Sequence, residues 1–273
     1  MNKKRVEIAR TTLVAIDQGK YEVNGTVIEI DEAVQNSIAE STLYSPERVH
    51  HIRDTFEGTK NYETKVEVVN STTLEAAQSL EGHIGVLNFA SAKNPGGGFI
   101  RGAQSQEESI ARSSSLYPAI DQHTEMYSHN RAHKTYLYSD YMIYTPNVVV
   151  FKNDDGDWLE KPYLIDVLTS PAANVGAILS NKPQEMDDVE HTMIQRIDAM
   201  FAIFASQNVK QLVLGAWGCG VFRNDPEKIA AYFHDNLIAG GKYEGVFERI
   251  VFAVLDRKDR GIYRAFEKLR MNN

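Results

Sequence analysis

Cysteine is nearly absent: Cys219 is the only one among 273 residues. That excludes an internal disulfide framework and any cysteine-rich zinc site. Long apolar runs are missing as well. The longest, Ala199–Ala205, falls far short of the roughly 20 residues that a membrane-spanning helix needs. The basic start, Met1–Arg5, is followed by Glu7 and Arg10 where the apolar stretch of a signal peptide would have to lie, so none is expected. Positive charge is not in excess either, and the net charge is −8. A general nucleic-acid binder normally presents a basic face, so that class is disfavoured. A small anionic ligand stays open, because backbone N–H groups hold one with few cations. The expectation is a soluble, cytoplasmic protein with no membrane association, taken as a monomer.

What is present reads as an ordinary globular chain, 42% apolar and 24% charged. Val6, Ala9, Leu13 and Ile16 recur at helical spacing, which predicts an amphipathic helix over residues 3–18. Tyr21–Val23 and Val27–Ile30 flank Asn24-Gly25, the dipeptide best suited to a tight hairpin. Asp31 is placed to cap a short helix through Glu40. Ser45-Pro46-Glu47 begins another, with proline in its first turn. Residues 1–63 therefore read as a helical extension with a hairpin, not an independent domain.

Residues 64–273 alternate strand and helix. Strands are expected at Lys65–Val69, Ile84–Phe89, Met142–Tyr144, Val148–Phe151, Tyr163–Val167, Leu212–Leu214 and Ile250–Val254. Helices fit from Thr72 to Leu80, Ser105–Ser115, Asp187–Ser206, Pro226–Ile238 and Asp259–Arg270. This alternation predicts an α/β sheet covered by helices on both faces.

Ligands of open α/β sheets bind beyond the carboxyl ends of strands. Two segments at such positions have unusual composition. The first, Asn88 to Phe99, contains Gly96-Gly97-Gly98, where the missing Cβ atoms allow positive φ and a close approach to a ligand. It leads into Gln106-Glu107-Glu108, in the first turn of a helix that Ser105 is placed to cap. Acidic residues there favour the helix dipole in any case; following a triple glycine at a strand end, they also make a candidate acid pair. The second segment, Gly215-Ala216-Trp217-Gly218-Cys219-Gly220-Val221-Phe222-Arg223-Asn224, runs from a buried strand to a helix capped by Asp225. Small residues in that position aim backbone N–H groups at a phosphate. The segment lacks the Gly-Lys-Ser/Thr of a P-loop, and Arg223 stands where a dinucleotide fingerprint needs glycine.

Gly96-Gly97-Gly98, seven residues, then Gln106-Glu107-Glu108 resembles the signature of poly(ADP-ribose) glycohydrolases. The preceding Asn88-Phe89-Ala90-Ser91-Ala92-Lys93-Asn94-Pro95 is similar to the microbial branch, and Gly215–Phe222 to the family's diphosphate-binding loop. The resemblance covers roughly residues 64–270. It implies a macrodomain, a three-layer α/β/α sandwich around a mixed sheet, with the N-terminal helical extension added. It further implies metal-free hydrolysis of the ribose–ribose O-glycosidic bond, without cofactor, working from the chain end and releasing ADP-ribose. The substrate would be ADP-ribose or poly(ADP-ribose) on modified proteins.

Glycosidases usually set two carboxylates on opposite sides of the bond. Adjacent glutamates, roughly 100° apart around a helix, have to take different duties instead. By resemblance Glu108 is the acid that protonates the leaving hydroxyl and then activates water, while Glu107 and Gln106 hold ribose hydroxyls. Such an acid has to carry its proton near neutral pH, and burial or a neighbouring carboxylate raises a glutamate's pKa. Asn94 is expected on a ribose and Phe222 on the terminal ribose. Gly96, Gly97, Gly98, Gly218, Cys219, Gly220 and Val221 are expected to line the phosphate and ribose. Asn88 fits either a ligand or a strand-end anchor.

Other candidates carry less. Cys219 in its glycine loop has the setting of an activated thiol but no inferable histidine. His129 and His133 share a helix face, yet Asn130 stands where the zinc-protease motif needs glutamate. His50-His51 has no evident partner. Tyr117, Tyr127, Tyr136, Tyr138, Tyr141 and Tyr144 fit a half-buried helix–sheet junction or an adenine lining. Asp154-Asp155-Gly156-Asp157 lacks calcium-loop spacing and reads as a hairpin turn before Trp158. Two other functions compete: a non-catalytic ADP-ribose-binding macrodomain, and a hydrolase of another ADP-ribose conjugate. A reader needs no acid at Glu108, which favours the enzyme.

Overall fold

The computed structural model describes residues 2–237 and 240–269. Helix α1 (Lys3–Gln18) starts where Asn2 accepts the N–H of Arg5, and stops at Gly19 with φ +66°, the left-handed geometry that glycine adopts without penalty. The hairpin β1 (Lys20–Val23) and β2 (Thr26–Glu29) turns on Asn24-Gly25 as the sequence predicts. Helix α2 (Asp31–Glu40) includes Asp31 in its first turn instead of using it as a cap; the cap position is Ile30. Strand β3 (Thr42–Tyr44) was not legible in the sequence. It pairs with the large sheet before helix α3 (Pro46–Thr55), which Ser45 caps.

Strand β4 (Lys65–Val69) leads through a Thr72–Glu75 capping box into α4 (Thr73–Gln78). Strand β5 (Ile84–Phe89) precedes the first glycine loop and α5 (Gln106–Ser113). Helices α6 (Leu116–Asp121) and α7 (Thr124–Ala132) follow, both absent from the sequence reading. The two strands expected at Met142–Tyr144 and Val148–Phe151 form one strand, β6 (Met142–Lys152), bulged at Pro146-Asn147. Strand β7 (Trp158–Ser170) returns after the expected turn, in which Asn153 Oδ1 accepts the N–H groups of Asp155 and Asp157. The chain continues through α8 (Val175–Asn181), α9 (Met186–Ser206), β8 (Gln211–Leu214), α10 (Pro226–Leu237), β9 (Arg249–Ala253) and α11 (Ile262–Glu267). Ile238 and Arg270, where two expected helices end, lie outside the described residues.

Seven strands form one sheet in the order β3-β6-β7-β5-β8-β9-β4. Strands β7, β5, β8, β9 and β4 run parallel, while β6 runs antiparallel to both its neighbours, β7 and β3. The mixed sheet is thus as expected. Alternation along the strands fills two cores. Leu212, Leu214, Ile250 and Phe252 face α3, α9, α10 and α11. Val213, Val251, Val86 and Val167 face α4, α5, α6 and α7. That is the three-layer α/β/α arrangement.

The N-terminal segment braces the face that carries α5. Thr12 Oγ1 donates to the carbonyl of Arg112 at the end of α5. The buried Lys152 ammonium donates to Thr11 Oγ1 (2.7 Å), Thr12 Oγ1 (3.0 Å) and the carbonyl of Ile8 (3.1 Å). Ala9 packs with Phe99 and Ala111 against the end of the first glycine loop.

Candidate active site

Because β7, β5 and β8 are parallel neighbours, the loops leaving their carboxyl ends emerge side by side. They are the triple-glycine loop after β5, Pro171–Asn174 after β7 and Gly215–Asp225 after β8. A Cβ placed on Gly215 would sit 3.2 Å from the Phe89 ring, so the two glycine loops start in contact.

The triple-glycine loop turns back onto α5. Gly96 and Gly97 have φ of +66° and +60°, values that a side chain adopts only with strain. A Cβ on Gly97 would lie 2.4 Å from Glu108 Oε1 and 3.2 Å from Glu107 Oε2. Both carboxylates therefore press on the same glycine, although they leave the helix at adjacent positions. Their partners differ. Glu108 accepts from the Gly98 N–H at 3.0 Å and from the Ser105 hydroxyl. Glu107 accepts from the Ser91 N–H at 2.6 Å and from Asn88 Nδ2 at 3.4 Å. Ser105 occupies the N-cap position as expected, yet its hydroxyl serves Glu108 and not the helix backbone.

Glu107 is 2% exposed, and burial pushes its carboxyl up to about 8, the Ser91 N–H opposing and the nearby Glu108 adding to the rise. Asn88, fully buried, also donates to Thr169 Oγ1 at 3.1 Å, and its Oδ1 has no partner among the described residues.

Two expected roles change here. Gln106 donates through Nε2 to the Leu87 carbonyl (2.7 Å) and Thr73 Oγ1 (3.2 Å), and accepts the Phe89 N–H (2.8 Å). Its carboxamide ties α5 to the end of β5 and has no hydrogen left for a ribose. In the triple glycine, the Gly97 N–H goes to the Asn94 carbonyl at 3.0 Å, Gly98 to Glu108, and Gly96 acts on Glu107. The Gly96 and Gly98 amides orient the chain's own carboxylates, and none of the three is free for a phosphate. Asn94 stands exposed at the loop's outer edge.

The second loop is built the other way. Asn224, 4% exposed, donates to the carbonyls of Ala173 (2.8 Å) and Gly218 (3.2 Å) and locks the loop against the segment after β7. The sequence reading gave Asn224 no role; its only signal was an amide side chain just before the Asp225 cap. Gly218 has φ +75°, and a Cβ there would meet Asn224 Nδ2 at 2.5 Å. Among the described residues, the N–H groups of Gly218, Gly220, Val221 and Phe222 have no backbone acceptor, and Val221 is 79% exposed. Free, adjacent amides at a loop tip form an anion-binding concavity. Cys219 departs from expectation: its N–H bonds the Ala216 carbonyl at 3.1 Å and its side chain is buried. Burial pushes its thiol upward, which removes it as a nucleophile.

The remaining candidates lie elsewhere. His50 does have a partner, Asp140 at 2.8 Å. His129 and His133 stack at 3.8 Å. Tyr127 and Tyr144 are core residues. Cavities of about 540 and 310 Å³ open at the amino end of the parallel strands, lined by His83 and Asp166 in one and by Lys65 and Arg249 in the other. Neither touches the glycine loops. Asp166 there accepts the Asn147 N–H at 2.8 Å and the Tyr144 hydroxyl, holding the bulge of β6, a structural duty.

Residues 9–153, more than half of the chain, match the model for the catalytic domain of microbial-type PARG. The chain belongs to the microbial-type PARG family. The match begins well before residue 64, so the second half of α1 and the hairpin fall within the family's catalytic-domain pattern. The structure resembles poly(ADP-ribose) glycohydrolase from Thermomonospora curvata, with 36% identity, 98% of this chain and 100% of that one covered, and a TM-score of 0.93. The same enzyme bound to the inhibitor ADP-HPD matches at 36% identity over 98% and 99% of the chains, with a TM-score of 0.91. The enzyme from Deinococcus radiodurans in complex with ADP-ribose matches at 35% identity over 91% and 98%, with a TM-score of 0.81. Among curated proteins none matches. The α/β/α sandwich of this chain is thus shared with enzymes solved holding ADP-ribose or an inhibitor.

Proposed function

We propose that this protein hydrolyses the ribose–ribose glycosidic bond of poly(ADP-ribose) from the chain end, releasing ADP-ribose, with Glu108 as general acid and base. The observation that carries the reading is the division of labour between the two loops. Amides of Ser91 and Gly98 in the first are committed to Glu107 and Glu108, while those of Gly218, Gly220, Val221 and Phe222 in the second have no acceptor among the described residues. A diphosphate on Gly218, Gly220, Val221 and Phe222 brings the attached ribose toward the first loop, because β5 and β8 are adjacent.

Glu108 then protonates the leaving ribose oxygen and next takes a proton from the attacking water. Glu107, protonated near neutral pH, both donates to and accepts from a ribose hydroxyl. Asn94 offers its amide to the same sugar and Phe222 packs on its face. The substrate's own diphosphate lies close enough to offset the developing oxocarbenium charge, so the reaction needs no metal. A reader domain would have no use for an acid held by two dedicated donors, Gly98 and Ser105.

No helix among the described residues is long and apolar enough to cross a membrane. We take the protein as a cytoplasmic monomer, with residues 1–63 acting as a brace on the catalytic face of residues 64–273. Incubation with poly(ADP-ribose) and, separately, mono-ADP-ribosylated protein, with and without chelator, tests the proposal. Free ADP-ribose from the polymer, undiminished by chelator, is expected. Binding without release would leave a reader, and release from the mono-modified protein alone would indicate another conjugate.

A further inference from the structure

Lys93, in the first glycine loop, holds its ammonium 5.7 Å from the Tyr136 ring centre and 5.9 Å from that of Tyr138. Tyr138 in turn lies 6.0 Å from Phe222, on the second loop. A cation and two rings thus link the two loops. No carboxylate pairs with Lys93 among the described residues. In a chain of net charge −8, an ammonium without a carboxylate partner, on the same loop as the triple glycine, calls for an anionic partner.

The link is held at a cost. Tyr138 has φ +61°, a conformation that costs an aromatic residue about 1 kcal/mol or more. It persists because the buried Arg196 donates to the carbonyls of Leu137 (2.7 Å) and Tyr138 (2.9 Å), and Asn174 Nδ2 donates to the Tyr138 hydroxyl (3.3 Å). Tyr136 is fixed too, its N–H on Glu185 and its carbonyl on the Asn174 N–H. Strain maintained by so many contacts is characteristic of functional positions.

We infer that Lys93 with Tyr136 forms a subsite for the second, leaving ADP-ribose unit of the polymer: the ammonium takes its diphosphate and the tyrosine face its adenine. The inference rests on the function proposed above, which puts the terminal ribose between Phe222 and Glu108. The leaving unit hangs from the anomeric carbon of that ribose, so residues on the outer side of Phe222 and Asn94 meet it first. The subsite makes the enzyme favour a polymer end over an ADP-ribose joined to a small group.

Two substrates test this: poly(ADP-ribose), and a conjugate in which a simple alcohol replaces the second unit on the same anomeric carbon. For Lys93→Ala, the ratio of kcat/KM on polymer to kcat/KM on the conjugate is expected to fall about tenfold, the size of one charge-assisted contact. The loss should appear in KM, and Lys93→Arg should restore most of it. An unchanged ratio overturns the inference. So does a calorimetric loss of free ADP-ribose affinity in Lys93→Ala matching the polymer loss, since Lys93 then serves the terminal unit. Wild-type enzyme inert on both substrates refutes the proposed function itself, which is distinguishable from either result.

Discussion

The backbone N–H of Gly98 donates to Glu108 Oε1 at 3.0 Å, so the triple glycine positions the candidate acid directly. Gly97 allows that approach by having no side chain: a Cβ there would lie 2.4 Å from the same oxygen, at φ +60°. Gly97→Ala is therefore expected to displace the carboxylate and lower kcat by ~10²-fold, the scale of a misplacement near 1 Å. Its stability should fall by only about 1 kcal/mol. Steady-state kinetics beside urea unfolding check this; near-normal kcat would mean that the close approach has no catalytic purpose.

Glu107 gives the pH dependence its sign. Its folded pKa of about 8 lies above the ordinary 4.5, so the folded state holds the proton more tightly than the unfolded chain. The resulting stability is fully present below about pH 4.5 and is lost as pH rises through 8. Glu107→Gln keeps the acceptor for the Ser91 N–H and removes the titration. Above pH 8 the variant should exceed the wild type in stability, by at most ~5 kcal/mol. Unfolding measured from pH 5 to 9 decides it, and parallel curves for the two proteins would contradict a protonated Glu107.

Ser105 is a positioning residue, acting through Glu108 Oε2. In Ser105→Ala we expect kcat to fall about tenfold, as for loss of one hydrogen bond to a charged group, with KM little changed. Ser105→Thr, which retains the hydroxyl, should recover most of the rate. A helix-capping role alone would instead lower the melting temperature and leave kcat intact.

How much of this was legible depended on whether partners are close in sequence. The glycines and Gln106-Glu107-Glu108 lie within one short segment, so their spacing alone marked the site, and the parallel strands announced themselves as apolar runs. The sequence points Gln106 at a ribose because nothing local shows that its partners are Leu87, Phe89 and Thr73. Strand β3 was missed since three residues between two helices carry no period. Helices α6 and α7 are short, and their burial comes from tertiary packing more than from pattern. The link from Lys93 through Tyr138 to Phe222 joins three distant segments, one of them in a conformation that no propensity scale favours.

Glu108→Gln tests the central claim most directly, with polymer turnover and ADP-ribose affinity measured on the same preparation. The amide keeps an acceptor for Gly98 but has no proton to give a leaving oxygen. Retained binding with release of ADP-ribose reduced at least ~10²-fold is the expected result. Turnover close to wild type would show that the proton comes from another group.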